Sequence, residues 1–241
     1  MRPTSRYLLI GSVLAIILVA LEYYGFIWHN GLFALPYEVK GLDVSHHQGD
    51  IDWEKVKDDD FRFVFIKATE GRDFIDQRFG KNWQQAKEQG FLVGAYHFFS
   101  MGSTGKQQAA HFIRTVPKQA DSLPPVIDVE IHLNHDQRKV RQELLALAQQ
   151  LEQHYGKKPI LYVTYDTYNQ YVKHAFPQYP IWIRDIKKFP TLQDRDWLFW
   201  QYSNRGRVNG IDTYVDINVF NGDQNEFSQQ FSLRRLESSP S

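Results

Sequence analysis

The fold is decided by one stretch, Pro124-Pro125-Val126-Ile127-Asp128-Val129-Glu130, an apolar and β-branched run that ends in two carboxylates. Such a run predicts a buried strand. Side chains at i and i+2 of a strand point to the same face, so Asp128 and Glu130 are expected to project together from Cα atoms about 6.6 Å apart. Carboxyl groups this close perturb each other's proton affinity, and one can stay protonated while its partner ionises. The pair predicts acid and nucleophilic or electrostatic roles at a glycosidic bond, or alternatively a cap for the next segment or an ion pair with a basic neighbour.

Seven further stretches have the composition of strands, and the first five of the eight alternate with helices. The other predicted strands are 41–46, 63–69, 91–99, 159–165, 180–185, 197–202 and 213–220. Helices are predicted at 51–56, 76–89, 106–116, 136–155 and 168–175. Five β-α units in succession imply a parallel sheet, and eight strands suffice to close a barrel. The predicted fold is an α/β single domain, an irregular TIM-like (β/α)5β3 barrel.

Polar residues lie late in six of these strands or just after them. They are Asp43, Glu70, His97, Asp128, Glu130, Gln201 and Asp216. The carboxyl ends of barrel strands build the active site of such a fold, so these side chains are expected to line one pocket. Tyr96 and Trp182 are candidates for sugar contact, with core packing as the alternative. Lys67 is expected to pair with a strand-tip acid.

Composition excludes several classes of function. Basic and acidic residues are equal at 28 each, so no global field recruits nucleic acid. Cysteine is absent, which excludes disulfides, thiolate metal sites and a cysteine nucleophile. The histidines at positions 46, 47, 132 and 135 have no third ligand at a recognisable spacing, so neither a metal site nor a cofactor is predicted.

The amino-terminal segment predicts a membrane helix. Residues 7–21 are apolar and follow Arg2 and Arg6, and the segment continues to Trp28 with Glu22 as its one acidic interruption. These 22 residues would form about 33 Å of helix, enough to span the hydrocarbon core. The positive-inside rule places the amino terminus in the cytoplasm and the large domain outside a bacterial inner membrane, in the periplasm. A cleaved signal peptide is the alternative, although the residues around Ala20 do not form a small-x-small site.

The expected organisation has five parts. These are a cytoplasmic terminus (1–6), a transmembrane anchor (7–28), a linker (29–40), the barrel (41–222) and a polar carboxyl-terminal tail (223–241). The linker is predicted because Gly31 and Pro36 interrupt a stretch without a sustained period. The protein is expected to be a monomer that meets the inner membrane through residues 7–28.

Several short motifs, in order along the chain, resemble those of the glycoside hydrolase family 25 lysozymes, the Chalaropsis-type N-acetylmuramidases. They are Gly41-Leu42-Asp43-Val44-Ser45, Gln48-Gly49, Ile51-Asp52-Trp53, Phe65-Ile66-Lys67-Ala68-Thr69-Glu70-Gly71, Gly94-Ala95-Tyr96-His97-Phe98, Asp128-Val129-Glu130, Trp200-Gln201-Tyr202 and Asp216-Ile217-Asn218. They extend over residues 41–220. The resemblance implies an irregular barrel that cleaves the β-1,4 bond after N-acetylmuramic acid, with peptidoglycan strands as the partner.

The resemblance also implies roles for four carboxyl groups. Glu130 would be the general acid that protonates the leaving oxygen. Asp128 would stabilise the 2-acetamido group of the substrate, or the oxocarbenium-like centre directly. Asp43 and Asp216 would tune these charges.

One segment departs from the family pattern. Trp182-Ile183-Arg184-Asp185-Ile186 stands where the family usually has Trp-x-Ala-x-Tyr. Arg184 is a candidate for binding a carboxylate of the muramyl lactyl group or stem peptide, or for pairing with a neighbouring acid. The predicted substrate-binding set is Tyr96, Trp182, Gln201, Arg184 and Glu70.

Two further functions are weighed against a membrane-anchored muramidase. A catalytically weak barrel could hold glycan strands as an adaptor, but a binding module has no need of the acid and base that Asp128 and Glu130 provide. A chitinase-type barrel is a lesser option, because two further aspartates expected before the D-x-E motif are missing before Asp128.

Overall fold

The structure, a computed structural model, describes residues 3–24 and 26–231, and its centre is a closed barrel. The described residues form the strands β1 (Lys40–Val44), β2 (Phe61–Glu70), β3 (Phe74–Ile75), β4 (Leu92–Phe98), β5 (Val126–Asp128), β6 (Ile160–Val163), β7 (Ile181–Arg184), β8 (Phe199–Gly206) and β9 (Val215–Phe220). Strand β3 pairs only with the end of β2, and the other eight form the barrel. Seven of these are mutually parallel, and β9 closes the ring antiparallel to β8 and β1. The predicted (β/α)5β3 barrel is confirmed.

The predicted helices lie between the strands as expected. The helices are α1 (Pro3–Tyr23), α2 (Asn30–Ala34), α3 (Trp53–Lys57), α4 (Phe79–Glu88), α5 (Gly105–Thr115), α6 (Gln137–Tyr155), α7 (Tyr165–Thr167) and α8 (Gln224–Phe231). The helix predicted at 168–175 is instead α7 followed by a π-helical turn, Tyr168–Val172. Asp52 and Asp136 cap α3 and α6, since each side chain accepts a hydrogen bond from the backbone N–H three residues on.

Alternating side chains fill the barrel interior. The interior cluster consists of Val39, Phe63, Phe65, Leu123, Val126, Ile160, Tyr162, Trp182, Phe199, Phe220 and Phe227. Two glycines give the large rings their space. A Cβ at Gly41 would lie 2.4 Å from the Phe63 ring, and one at Gly94 would lie 2.5 Å from the Phe65 ring. The close approach of these rings therefore requires glycine at both positions.

Helix α8 closes the end of the barrel at which the parallel strands begin. The Phe227 side chain is 5% exposed, and its ring centroid lies 5.7 Å from that of Phe63 and 5.2 Å from that of Phe220. Residues 223–241 were expected to form a polar tail. Residues 224–231 form a helix instead, because Phe227 and Phe231 pack against the interior cluster at this end of the barrel. Residues 232–241 lie outside the described part of the chain.

Helix α1 ends at Tyr23, before the predicted end of the membrane span at Trp28. The window Arg6–Tyr23 is long and apolar enough to cross a membrane, and none of it is buried against the rest of the described chain. Trp28 turns back to the barrel, where its Nε1 donates a hydrogen bond to the Ile186 carbonyl oxygen at 3.2 Å. The start of the predicted cytoplasmic terminus, residues 1 and 2, is outside the described residues.

The predicted linker is packed on the barrel. It contains α2, and Asn30 and Ala34 are buried. The Asn30 side-chain amide donates to the carbonyl oxygens of Asp185 at 3.0 Å and Tyr202 at 3.2 Å. These bonds join positions far apart in sequence, so local composition does not reveal them.

Candidate active site

A cavity of about 180 Å³ opens at the carboxyl ends of the parallel barrel strands. It is lined by Asp43, Ser45, His47, Lys67, Tyr96, Phe98, Val126, Asp128, Glu130, Tyr162, Trp182 and Asp216. All four predicted catalytic carboxyl groups are in this set. The period of two along each strand selects the lining, because alternate side chains point into the barrel.

The same alternation of side chains directs one residue that was predicted to line the pocket, His97, away from the cavity. Tyr96 and Phe98 of β4 face inward, so His97 between them faces the surrounding helices. His97 is fully buried there, with Nδ1 2.7 Å from Thr69 Oγ1 and Nε2 2.9 Å from Gln108 Oε1. Burial lowers the pKa of His97 to about 4. The expectation that His97 lines the pocket is wrong, and the residue serves the packing of α5 on the barrel.

Asp43 and Asp216 form a pair of carboxyl groups across β1 and β9. The two residues are direct neighbours in the antiparallel register. Burial raises the pKa of Asp43 well above its ordinary value, and the Asp216 charge raises it further. Burial also raises the pKa of Asp216 to about 6, against the effect of hydrogen bonds from Asp43 and Gln201. A proton on Asp43, donated to an ionised Asp216, satisfies both groups.

Hydrogen bonds at the bottom of the cavity, which we call the cavity floor, hold Asp43 and Asp216 in place. The Trp182 indole N–H donates to Asn218 Oδ1 at 2.9 Å, and Asn218 Nδ2 donates to Asp43 Oδ2 at 2.8 Å. On the other side, the Tyr162 hydroxyl donates to Gln201 Oε1. Gln201, a predicted substrate-binding residue, is 1% exposed and reaches the cavity only through these partners.

Trp182 is part of the cavity floor. It lines the cavity but is only 2% exposed, and its ring centroid lies 4.8 Å from those of Phe65 and Tyr162. This burial favours the packing alternative for Trp182 over a free stacking surface. Tyr96, the other candidate for sugar contact, is partly exposed in the cavity wall.

Asp128 is a buried carboxyl group with one oxygen unused. Strand β5 ends at Asp128, so Glu130 lies beyond the strand, although both line the cavity. Asp128 is 7% exposed, and its Oδ1 has no hydrogen-bond partner among the residues that the structure describes. Burial raises the pKa of Asp128 well above its ordinary value, and the Glu130 charge adds to this. This enclosed oxygen is a hydrogen-bond acceptor that the described residues leave unsatisfied.

Glu130 is the more accessible acid of the two. Its side chain is 33% exposed, and Arg184 Nε lies 3.8 Å from its Oε1. Burial raises the pKa of Glu130, and the Arg184 guanidinium acts in the opposite direction. A carboxyl group that keeps its proton to a higher pH than an ordinary glutamate, while it faces solvent, has the properties of a general acid.

Glu70 is engaged by a neighbouring lysine. Lys67 Nζ lies 2.8 Å from Glu70 Oε2, which confirms that Lys67 pairs with a strand-tip acid. Within the described chain, Glu70 is not among the residues that line the cavity. Its position therefore supports an indirect role, in which it holds the Lys67 ammonium group at the cavity wall.

Several lining residues, among them Tyr162, Phe98 and His47, were not predicted from the sequence. Tyr162 and Phe98 lie two residues from inward-facing positions of predicted strands, so the period of two was a usable signal for both. His47 lies in a 3₁₀ turn after β1, Ser45 caps this turn, and such a turn has no strand period.

Asp216→Asn is expected to stabilise the fold at pH 8 and not at pH 4. A group whose pKa is raised on folding stabilises the native state fully below its unfolded pKa, and this contribution is lost as pH rises through the folded pKa. For Asp216 the window runs from 3.8 to about 6. The variant does not titrate, so its gain at pH 8 should be about 1–3 kcal/mol.

Thermal unfolding of the detergent-solubilised chain at both pH values measures this difference. Asp212→Asn is the matched control, because Asp212 is exposed outside the cavity. An equal change in Tm at pH 4 and pH 8 would contradict the assigned titration of Asp216.

Comparisons with known proteins agree with this geometry. The model of the family described as Glycosyl hydrolases family 25 matches residues 42–211. The Escherichia coli (strain K12) protein YegX is 39% identical over 192 residues, covering 77% of this chain and 71% of its own. Lysozyme M1 of Streptomyces globisporus is 32% identical over 205 residues, covering 76% of this chain and 68% of its own.

A solved structure is similar to this chain in both fold and sequence. The family 25 glycosyl hydrolase from Bacillus anthracis superposes with a TM-score of 0.78 at 48% identity, covering 80% of this chain and 94% of that one. The barrel, the acidic cavity and the family match describe one kind of enzyme, a glycoside hydrolase. The chain belongs to glycosyl hydrolase family 25.

Proposed function

We propose that this enzyme is a peptidoglycan muramidase that hydrolyses the β-1,4 bond between N-acetylmuramic acid and N-acetylglucosamine. The observation that carries the proposal is the pairing, in one cavity, of a buried Asp128 and a more accessible Glu130, whose pKa is raised by burial. The name of the relative Lysozyme M1 supports the same substrate.

Glu130 acts first as the general acid. Its proton passes to the glycosidic oxygen as the C1–O bond breaks, which gives the leaving sugar a neutral hydroxyl group. The ionised Glu130 then takes a proton from water as that water attacks C1. The same group serves both steps because its partial exposure lets it exchange its proton with solvent.

Asp128 acts on the 2-acetamido group of the muramic acid. The Asp128 carboxylate, which lines the cavity, accepts a hydrogen bond from the acetamido N–H, and this makes the acetamido oxygen a better nucleophile toward C1. The attacking water later displaces that oxygen from C1. The positive charge that develops at C1 and on the acetamido group is stabilised by the Asp128 carboxylate. The Asp43 and Asp216 pair places one further negative charge below this centre.

Arg184→Ala is expected to move the alkaline limb of the kcat/KM profile to higher pH. Arg184 lowers the pKa of Glu130, and a general acid is active only while protonated. Removal of the guanidinium raises that pKa, so Glu130 keeps its proton to a higher pH. The pH dependence of muropeptide release by the two forms measures the effect.

Arg184→Lys is the matched variant, because it keeps the positive charge while it loses the planar donor fork. It should leave the alkaline limb closer to that of the unmodified enzyme than Arg184→Ala does. We also assign Arg184 to a carboxylate of the lactyl group or stem peptide, so both variants should raise KM. An alkaline limb that does not move in Arg184→Ala would contradict the contact with Glu130.

We infer that α1 is an uncleaved anchor, with the amino terminus in the cytoplasm and the barrel on the periplasmic side of a bacterial inner membrane. The apolar window Arg6–Tyr23 supports the span. Retention of α1 is supported by the residues around Ala20, which do not form a small-x-small cleavage site.

Mass spectrometry of the fragments released from purified sacculi tests the activity. The full chain in mild detergent is the appropriate sample, because Asn30 is buried against the barrel and a cut before residue 31 would remove its two hydrogen bonds. Muramic acid at the new reducing ends is the expected product. N-acetylglucosamine at those ends would contradict the bond assignment, and binding to sacculi without release would identify an adaptor.

A further inference from the structure

An exposed apolar surface follows directly after α1. It consists of Tyr24, Phe26, Ile27, Leu32, Phe33 and Leu35, and we call it the juxtamembrane surface. The exposed fraction of these side chains ranges from 43% for Ile27 to 72% for Leu32. In the part of the chain described beyond residue 35, the other exposed large apolar side chains are Phe74, Ile75, Leu133 and Phe189, at 41% to 52%. The concentration of six in one short segment indicates a site of contact.

Helix α2 carries part of this surface and is itself held on the barrel. Asn30 and Ala34 are 0% and 2% exposed and face the barrel, whereas Leu32 and Phe33 face away. The Asn30 hydrogen bonds to backbone carbonyl groups of β8 and of the residue after β7 hold α2 in position. The exposed side chains therefore cannot turn inward without breaking buried hydrogen bonds.

The segment between the two helices is too short to separate α2 from the membrane. Residues 24–29 join α1 to α2, and six residues span at most about 20 Å when extended. Two guanidinium groups contact the end of α1 and the segment after it. Arg205 donates to the Tyr23 carbonyl oxygen and lies 5.2 Å from the Tyr23 ring centroid, and Arg207 lies 5.1 Å from the Phe26 ring centroid. Aromatic rings and arginines at the end of an apolar helix are typical of the lipid headgroup region.

The residues that hold α2 lie at the same end of the barrel as the active-site cavity. Asp185 follows the carboxyl end of β7, and Tyr202 and Arg205 lie in β8 beyond its last pairing with β7. The cavity opens at these carboxyl ends. Contact between the juxtamembrane surface and a membrane would therefore bring the cavity close to that membrane.

We propose that the juxtamembrane surface rests on the lipid bilayer that α1 crosses and holds the cavity at a short, fixed distance from it. The substrate is then the glycan nearest the membrane, and a distant wall layer is out of reach. The proposal rests on the membrane anchoring given above under the proposed function. Continuity with α1 identifies the bilayer as the occupant, because the surface begins at the residue after the helix.

Single cysteines test the contact, since the natural chain has none. Leu32→Cys and Leu35→Cys would each carry an environment-sensitive fluorophore, in the full chain reconstituted into phosphatidylethanolamine and phosphatidylglycerol vesicles that contain spin-labelled acyl chains. Leu14→Cys, within α1, reports the anchor. Glu88→Cys is the matched negative site, because it is exposed at the far end of the barrel.

Strong quenching is expected at positions 14, 32 and 35, and weak quenching at position 88. Quenching at 14 with values at 32 and 35 equal to that at 88 would overturn the surface contact while leaving the anchor in place. Weak quenching at 14 would overturn the anchor and this inference together. Quenching does not depend on hydrolysis, so failure of the muramidase proposal would not imitate either result.

Discussion

Glu130→Gln is expected to lower kcat/KM for peptidoglycan hydrolysis by about 10²- to 10⁴-fold. Glutamine has the shape of the glutamic acid but no proton to give to the glycosidic oxygen, so the leaving group departs as an alkoxide. The fold should persist, because the Glu130 side chain is one-third exposed and its ion pair with Arg184 is long, at 3.8 Å. The effect should appear in kcat, since Glu130 acts in the transition state.

Release of reducing ends from sacculi, followed over time, measures this loss. Glu54→Gln makes the same chemical change on the exposed side of α3 and should retain the rate of the unmodified enzyme. An activated substrate with a good leaving group sharpens the test, because a leaving group that needs no proton should recover much of the Glu130→Gln rate. A loss below tenfold on natural glycan would exclude Glu130 as the acid.

Asp128→Asn is expected to lower kcat by about 10²- to 10³-fold, the cost of removing one preorganised electrostatic contact to a transition state. Asparagine conserves volume in a site where Asp128 is 7% exposed, so the barrel should fold. The amide cannot carry the charge that stabilises the developing cation. It also removes a buried charge from beside Glu130, and the raised pKa of Asp128 indicates that this charge is costly to the native state.

De-N-acetylated glycan separates the two roles of Asp128. If Asp128 acts through the acetamido group, the unmodified enzyme and Asp128→Asn should hydrolyse this substrate at similar low rates. If Asp128 stabilised the oxocarbenium-like centre directly, the unmodified enzyme would hydrolyse this substrate faster than Asp128→Asn by the same factor as it does natural glycan. Asp60→Asn, at an exposed acid outside the cavity, is the control for the substitution itself.

The positions of the proposed catalytic carboxyl groups could be predicted from the sequence for a local reason. A barrel strand is a short apolar run, and its polar tip lies at the end of that run, so Asp43, Asp128 and Asp216 could be placed at one end of the barrel. The prediction for His97 was wrong because it used the same pattern without asking which alternate residues of the strand point inward. Tyr96 and Phe98 already occupied the inward positions of that strand, and the period of two sends His97 outward.

Hydrogen bonds between distant residues were not accessible in this way. The floor that links Trp182, Asn218 and Asp43 joins three strands that become neighbours only when the barrel closes. The same is true of Asn30, whose partners are more than 150 positions away, and of α8, whose Phe227 fills the barrel end. A polar or mixed composition therefore predicted a linker and a tail where tertiary contacts form helices.

The sequence by itself determined the order of strands and helices, the apolar amino-terminal helix, the acidic set and the family to which the chain belongs, because apolar runs and motif order are properties of the linear chain. Only the tertiary structure decided the raised pKa values of Asp43 and Asp216, the enclosed oxygen of Asp128, the distance from Arg184 to Glu130 and the attachment of α2 to the barrel. Burial and through-space charge set these properties, and both depend on which strands the closed barrel brings together.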